Sequence, residues 1–324
     1  MTNKIRIALA QTNPISVEVD LAESEKDKHV SPFPTLEHNL VDAARAVKDA
    51  AERGADVVVF PEYFLQGFYL TFPSRHLEAF LKRLAKSHRI GIVGSIVHGV
   101  LPETTEDPFP TSDPFTHLSA ECSLPDRCTT SPEQQAWIDW LARNMTDKVE
   151  NAGHPQAPIL HNTAFYIDEN GELIGELYLT PGEVDNKAFD TKWGKAGFLI
   201  SQALADQGVK LIFAPTYWLS SDSQPYLDEW PHAPDYEYQL LQALCFTRSV
   251  ETETVYIMVN PGQPTGATND HMGGSGVWSP LRGKVEGSFE GHGVGTNIVE
   301  IDLDVLGRAR ELYKVQEDWK RTRK

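Results

Sequence analysis

One acidic residue of this sequence follows a stretch that could deliver it to a catalytic site. In "VVVFPEYFLQGF" an apolar, β-branched run predicts a buried strand, and Glu62 comes at its carboxyl end beside aromatic side chains. Burial raises the pKa of a carboxyl group towards the range that suits a general base. A single acid after a strand is more often a structural hydrogen-bonding group. Glu62 is therefore a candidate base, and the structural alternative stays open.

A nucleophile to accompany Glu62 is harder to find. Ser201 follows the apolar run "GFLI", but as the first residue of a predicted helix it is more simply an N-cap, and its hydroxyl would need an activating base. Cys245 lies in a predicted helix among leucines, where it is expected to pack as a small hydrophobe. Three lysines are close in sequence and are expected to be solvated: Lys187, Lys192 and Lys195.

The sequence predicts no metal and no cofactor. Cys122 and Cys128 lie in a polar segment, but four ligands at the spacing of a structural zinc site are not present there. They are interpreted as two free thiols on a surface loop. The glycines of "MGGSG" and "GVGTNIV" are not followed by a helix in a phosphate-loop pattern, so nucleotide binding has no support.

Charge and composition exclude several classes of partner. With 46 acidic and 29 basic residues the formal net charge is -17, which would repel a phosphate backbone, so no nucleic-acid partner is expected. No secretory signal is visible, and no uncharged apolar run approaches the length of a membrane span. The odd number of cysteines, 3 in 324 residues, argues for a reducing compartment. We therefore expect a cytoplasmic protein that binds neither nucleic acid nor membrane.

The order of predicted elements is typical of an α/β fold. An amphipathic helix over residues 36 to 51 stops at Gly54 and runs directly into the apolar strand "DVVVF". A second helix and strand follow, and "HNTAFYIDENGELIGELYL" predicts a hairpin. We interpret residues 1–324 as a single domain, with a surface insertion at about 101–158 and a charged, amphipathic C-terminal tail at about 304–324 that suits a partner subunit.

Several stretches together resemble the nitrilase or carbon-nitrogen hydrolase superfamily over nearly the whole chain. In chain order they are "IRIALAQTNP", "AAERGADVVVFPEYFLQGF", "HNTAFYIDENGELIG", "LTPGEVDNKAFDTKWGKAGFLI", "ALADQGVKLIFAPTYW" and "GGSGVWSPLRG" with "IVEIDLDVL". The resemblance implies an αββα sandwich, stacked into four layers on dimerisation, a homo-oligomer and a small nitrile or amide as substrate. It also implies a Glu base, a Lys that stabilises the oxyanion and a Cys nucleophile.

The residues of the family pattern carry over only in part. Glu62 matches the base. The aromatic residues after two strand ends match the family's pocket walls: Tyr63, Phe64, Phe68, Tyr217 and Trp218. The run that should hold the Lys and a second Glu is missing after "GELIG", and "GFLI" is followed by "SQALADQG" in place of the Cys turn. Covalent catalysis of this type needs all of these groups.

The second gap also has a structural consequence. If "KAGFLI" and "VKLIF" are neighbouring parallel strands, their connection should need about a dozen residues or more. "SQALADQG" offers only 8 between them. We therefore expect a tight crossover and reduced stability.

Three hypotheses remain open from the sequence. The chain is a carbon-nitrogen hydrolase for small nitriles or amides, inactive as written. Alternatively, it is a non-catalytic homologue that binds a ligand or assembles oligomers. A third possibility is an incomplete gene product of an active hydrolase, because the family pattern restarts cleanly after each gap.

Overall fold

The computed structural model describes residues 3–15, 31–65, 74–100, 110–122, 130–144, 159–178, 186–199, 202–267 and 269–322. Phe68, Ser201 and Cys128 lie outside these ranges. Within them the helices are α1 (Pro34–Glu52), α2 (Ser74–His88), α3 (Pro132–Asn144), α4 (Gln202–Asp206), α5 (Tyr236–Glu251), α6 (Asp304–Tyr313) and α7 (Val315–Thr322). The predicted stop after α1 is confirmed, because Gly54 adopts a φ of 73°, which favours glycine.

Two six-stranded sheets carry the architecture. The first contains β1 (Lys4–Gln11), β2 (Val57–Val59), β3 (Gly91–Val100), β4 (Ile159–Ile167), β5 (Leu173–Tyr178) and β12 (Gly295–Asp302), in the order β12-β1-β2-β3-β4-β5. The second contains β6 (Phe189–Thr191), β7 (Gly194–Phe198), β8 (Leu211–Pro215), β9 (Val255–Val259), β10 (Gly276–Ser279) and β11 (Gly283–Lys284), in the order β11-β10-β9-β8-β7-β6.

Each sheet has a parallel centre and antiparallel flanks. β1, β2 and β3 are parallel in the first sheet, and β7, β8 and β9 are parallel in the second. The predicted hairpin is confirmed as the antiparallel pair β4 and β5. The carboxyl ends of both parallel sets are where a site is expected in such sheets.

Strand periodicity explains why the parallel strands are apolar on both faces. Val57 and Val59 point into the cluster between the two sheets, whereas Val58 points into the cluster under α1 and α2. A third cluster packs Leu241 and Cys245 of α5 against the outer face of the second sheet. The layers are therefore helix, sheet, sheet and helix, and the predicted αββα sandwich is confirmed. These four layers lie within one chain, so they do not need the dimerisation from which a four-layer stack was predicted; the stacking of two copies itself stays a prediction.

The predicted insertion and tail each contribute buried side chains. Trp137 of α3 is fully buried and packs edge-on against Phe33, with ring centroids 5.4 Å apart. In the tail, Leu306 of α6 is buried in the cluster between the sheets, while Leu312 is 65% exposed. Docking of the tail on a partner subunit stays a prediction. None of the helices in the described ranges combines the length and apolarity needed to cross a membrane.

The short crossover lies between parallel neighbours, as the sequence predicted. β7 and β8 have five residues each, and the connection contains only the short helix α4. Leu204 of α4 is fully buried directly over Gly197. A Cβ atom at Gly197 would lie 2.7 Å from Cδ2 of Leu204. Glycine thus lets the helix approach the sheet closely enough for the connection to close.

Gly197→Ala should therefore destabilise the protein by about 1–2 kcal/mol, because the added methyl overpacks this contact. Urea unfolding measures the change. In a Leu204→Ala background, which lacks the opposing methyl groups, Gly197→Ala should lower the free energy of unfolding by less. Gly307→Ala is the matched control, because an added methyl there meets nothing within 4 Å and alanine favours the helix. If Gly197→Ala lowered the free energy of unfolding equally in both backgrounds, the close approach of Leu204 to Gly197 would not be the cause.

Candidate active site

Glu62 lies where strand ends from the two sheets meet. β2 ends at Val59, and Phe60 and Pro61 lead to Glu62. The backbone N–H of Glu62 donates to the carbonyl oxygen of Thr216, the residue after β8, at 3.1 Å. The position of Glu62 is therefore fixed by both sheets.

Polar side chains from neighbouring strands orient the Glu62 carboxylate. Asn162 of β4 donates from Nδ2 to Oε1 of Glu62 at 2.5 Å and to the hydroxyl oxygen of Tyr63 at 2.8 Å. Oδ1 of Asn162 accepts a hydrogen bond from the Ser95 hydroxyl of β3 at 2.6 Å, which fixes the direction of the amide. The carboxylate thus sits in a continuous hydrogen-bond network.

The surroundings of Glu62 raise its affinity for a proton above that of an ordinary glutamate. Burial raises the pKa of Glu62, and this outweighs the opposing hydrogen bonds from Asn162, Tyr63 and the backbone of Tyr217. Burial and the charge of Glu62 raise the pKa of Tyr63 to about 12. Tyr63 also has a φ of 55°, an uncommon backbone conformation for a bulky residue and one found often at functional sites. The site therefore contains a carboxylate with enhanced affinity for a proton, beside a phenol that stays protonated.

The loop after β8 brings Tyr217 to the same place. The rings of Tyr63 and Tyr217 pack edge-on with centroids 5.8 Å apart. Trp218 follows, and its indole N–H donates to the buried Glu237 of α5 at 2.7 Å. Glu62, Tyr63 and Tyr217 are thus brought together, whereas the indole of Trp218 is hydrogen-bonded to the helix layer.

Asn260, directly after β9, holds this loop in place. Its Oδ1 accepts from the backbone N–H of Trp218 at 2.7 Å and from the Thr216 hydroxyl at 3.1 Å. Its Nδ2 donates to the carbonyl oxygen of Trp218 at 2.8 Å. Because Asn260 is fully buried, these bonds satisfy its polar atoms inside the protein.

Comparison with known proteins agrees with this architecture. The carbon-nitrogen hydrolase family profile matches residues 6–108, which include Glu62. The chain is similar to Nit3 of Saccharomyces cerevisiae, a member of branch 10 of the nitrilase superfamily, with 20% identity over 95% of this chain and 93% of that one and a TM-score of 0.58. The chain has the nitrilase-superfamily fold. The resemblance to the nitrilase superfamily that the sequence indicated is therefore confirmed by the family profile and by the fold.

A second nitrilase-superfamily relative is an amidase from Nesterenkonia sp. AN1. A variant of that amidase, with the acetamide moiety of fluoroacetamide added covalently at its active-site cysteine, shares 18% identity over 97% of this chain and 96% of that one, with a TM-score of 0.57. The Cys-to-Ala variant of the same amidase is 19% identical, with a TM-score of 0.54 over 97% of each chain. A search of curated protein sequences gave no match.

Two cysteines of this nitrilase-fold chain lie in other layers. Cys245 is buried against the second sheet, which confirms its packing role. Cys122 is partly buried beside the first helix layer, and its carbonyl oxygen accepts a hydrogen bond from Arg45. In the described ranges, neither contacts Glu62, and no group of three or more His, Cys, Asp or Glu is arranged to hold a metal ion.

The three candidate lysines are also accounted for. Lys192 pairs with Glu169 at 3.1 Å and lies over the ring of Trp193, and Lys187 and Lys195 are exposed. Lys192 and Lys195 flank the amino-terminal end of β7, opposite the end where Glu62 and Thr216 meet. Among the described residues, no lysine contacts Glu62.

Sequence reasoning missed the residues that organise the site. Asn162 lies within β4, Asn260 directly follows β9, and His271 lies in a glycine-rich segment. A polar side chain within or directly after a buried strand must find a partner, and this signal could have drawn attention to the two asparagines. Their partners are far apart in sequence and could not be read from it.

The raised pKa of Glu62 should be visible as a pH dependence of stability. Because its folded pKa lies above the ordinary value, the native state binds more protons between the two values, and stability falls as pH rises through that interval. Urea unfolding should therefore show wild type losing stability relative to Glu62→Gln as the pH rises above the ordinary glutamic acid pKa of 4.5. The control Glu229→Gln, at an exposed position, should give a flat difference. If the difference in free energy of unfolding between wild type and Glu62→Gln did not change with pH, the raised pKa of Glu62 would be contradicted.

Proposed function

We propose that this chain is a homologue of the carbon-nitrogen hydrolases that binds a small amide or nitrile at Glu62 and does not hydrolyse it through a thioester. The observation that carries the proposal is the set of groups around Glu62. They are Asn162, the Tyr63 hydroxyl, the Thr216 carbonyl and the Tyr217 backbone, without a described thiol or ammonium.

The chemistry of these groups suits recognition of an amide. A carboxylate accepts hydrogen bonds from an amide N–H group, and such charge-assisted bonds contribute about 1.5–3 kcal/mol each. The rings of Tyr63 and Tyr217 supply apolar surface for a short acyl chain. The names of the similar structures support the substrate class, because one of them is an amidase. The homo-oligomer and the cytoplasmic location stay predictions.

Calorimetric titration with acetamide and with propionitrile tests the binding step. Wild type should bind the amide, and Glu62→Gln should weaken its affinity by about 10- to 100-fold, which corresponds to loss of one charge-assisted hydrogen bond. Glu229→Gln makes the same chemical change on the surface and should bind as wild type does. Equal affinity of wild type and Glu62→Gln would contradict the proposal, as would no binding of either compound.

A further inference from the structure

A row of hydrogen-bonded side chains continues from Tyr217 away from Glu62. The Tyr217 hydroxyl lies 2.8 Å from Nε2 of His271, and Nδ1 of His271 lies 2.8 Å from Oδ1 of Asn13. The rings of Tyr217 and His271 are edge-on, with centroids 5.2 Å apart. His271 is buried, so its imidazole is held in one place.

The neighbours of His271 determine which nitrogen carries its proton. Nδ1 faces two oxygen acceptors, Oδ1 of Asn13 at 2.8 Å and the carbonyl oxygen of Gly262 at 3.3 Å. The carbonyl oxygen of Gly262 can only accept, so Nδ1 of His271 is the donor, and Oδ1 of Asn13 is then the acceptor for Nδ1 and for Nδ2 of Asn269 at 2.8 Å. Nδ1 is therefore protonated in the neutral ring, and Nε2 accepts the hydrogen bond of the Tyr217 hydroxyl.

We propose that Tyr217 is a nucleophile, with His271 as its general base and Asn13 as the group that orients the base. A nucleophile bonded to a base, which in turn is bonded to a third group, is the arrangement of covalent catalysis, and tyrosine is one of the side chains that form covalent intermediates. The chemical class of acceptor is an acyl donor with a good leaving group, such as an aryl ester. The proposal goes beyond amide binding and does not depend on it.

In the acylation step the Tyr217 proton is transferred to His271, and the bond from the acyl carbon to the aryloxy oxygen is replaced by a bond to the Tyr217 oxygen. The Tyr217 oxygen attacks the carbonyl carbon of the ester, and its proton passes to Nε2 of His271. The bond from that carbon to the aryloxy oxygen breaks, and the aryl oxide leaves with the electron pair. The protonated His271 releases this proton to the aryl oxide or to water and becomes neutral again. Water then attacks the acyl carbon while His271 accepts a proton from it, the bond from that carbon to the Tyr217 oxygen breaks, and His271 returns the proton to Tyr217 as the carboxylic acid leaves. An amide is a poor donor here, because its tetrahedral intermediate expels the Tyr217 oxide, which is a better leaving group than the amine.

Two other tyrosines show why the site is specific to Tyr217. The hydroxyl of Tyr63 is close to the negative charge of Glu62, which with burial raises its pKa to about 12 and makes it a weaker nucleophile under neutral conditions. Tyr226 is 69% exposed and represents a phenol that any reagent can reach. Activation by His271 should therefore make Tyr217 react faster than the more accessible Tyr226.

Reaction of the full chain with p-nitrophenyl acetate tests the proposal. We expect a burst of about one equivalent of p-nitrophenolate per chain, with the acetyl group on Tyr217. Tyr217 and Tyr226 lie in one tryptic peptide, residues 211–248, so fragment ions compare them directly within one molecule. Acetylation of Tyr226 as fast as that of Tyr217 would overturn the proposal, and this comparison needs no variant.

Variants separate activation from simple exposure. Tyr217→Phe should lose the burst, and His271→Gln, which keeps a polar side chain but no base, should slow acetylation of Tyr217 by about 100-fold. Tyr226→Phe is the matched control and should keep the burst. An undiminished burst in Tyr217→Phe, or an unchanged rate in a folded His271→Gln variant, would overturn the proposal.

Discussion

The chain should release no ammonia from small amides or nitriles above the background of a blank. Hydrolysis through a thioester needs a thiolate beside the base, and removal of the nucleophile from a catalytic triad costs about 10⁶-fold in rate. Cys245 cannot serve, because it is buried in another layer and burial raises its pKa. Cys122 packs beside the first helix layer. A coupled ammonia assay over a panel of amides and nitriles measures the result.

Two variants identify the cause if ammonia is released. Glu62→Gln removes the candidate base, and replacement of all three cysteines, as Cys122→Ser, Cys128→Ser and Cys245→Ala, removes every thiol of the chain. Turnover that either variant abolishes would contradict the proposed lack of thiol-dependent hydrolysis. Wild type and both variants should instead be indistinguishable from the blank.

Asn260→Ala should destabilise the protein by about 2–4 kcal/mol. The substitution leaves the part-buried backbone N–H and carbonyl of Trp218 and the Thr216 hydroxyl without the partners that Asn260 provides, and a polar group left unsatisfied inside the protein costs about 1–3 kcal/mol. Urea unfolding followed by circular dichroism gives the free energy of unfolding. The variant should also weaken amide binding, because the same loop carries Tyr217.

Asn170→Ala is the matched control for this prediction. Asn170 lies in the exposed turn between β4 and β5, and its side chain bonds only to Asp168 of the same turn. A surface substitution of this kind should change stability by less than about 0.5 kcal/mol. If Asn260→Ala costs no more than this control, Asn260 does not hold the loop.

The sandwich and the position of Glu62 were both predicted from the sequence, but by different routes. The resemblance to the nitrilase superfamily implied the sandwich, and the local pattern of a buried strand placed Glu62 at the carboxyl end of that strand. The apolar strand "DVVVF" predicted a sheet covered on both faces, and in the structure Val57 and Val58 are buried on opposite faces, one against the second sheet and the other against helices. Gly54 predicted the end of α1 through its need for a positive φ. The length of "SQALADQG" correctly indicated a tight crossover, although the role of Gly197 in closing it was not visible.

The partners in the site could not be predicted in the same way. Asn162 and Glu62 are 100 positions apart, and Tyr217 and His271 are 54 apart. Their contacts depend on the register of β3 with β4 and on how the ends of β2 and β8 meet, which no local periodicity records. The sequence by itself determined the α/β pattern and the candidate base, because residue type and spacing suffice for these, and its resemblance to the family implied the layers and the lack of the expected nucleophile. Only the tertiary structure decided which polar groups surround Glu62 and Tyr217, because hydrogen bonds between distant segments require the packed sheets to bring their atoms within about 3 Å.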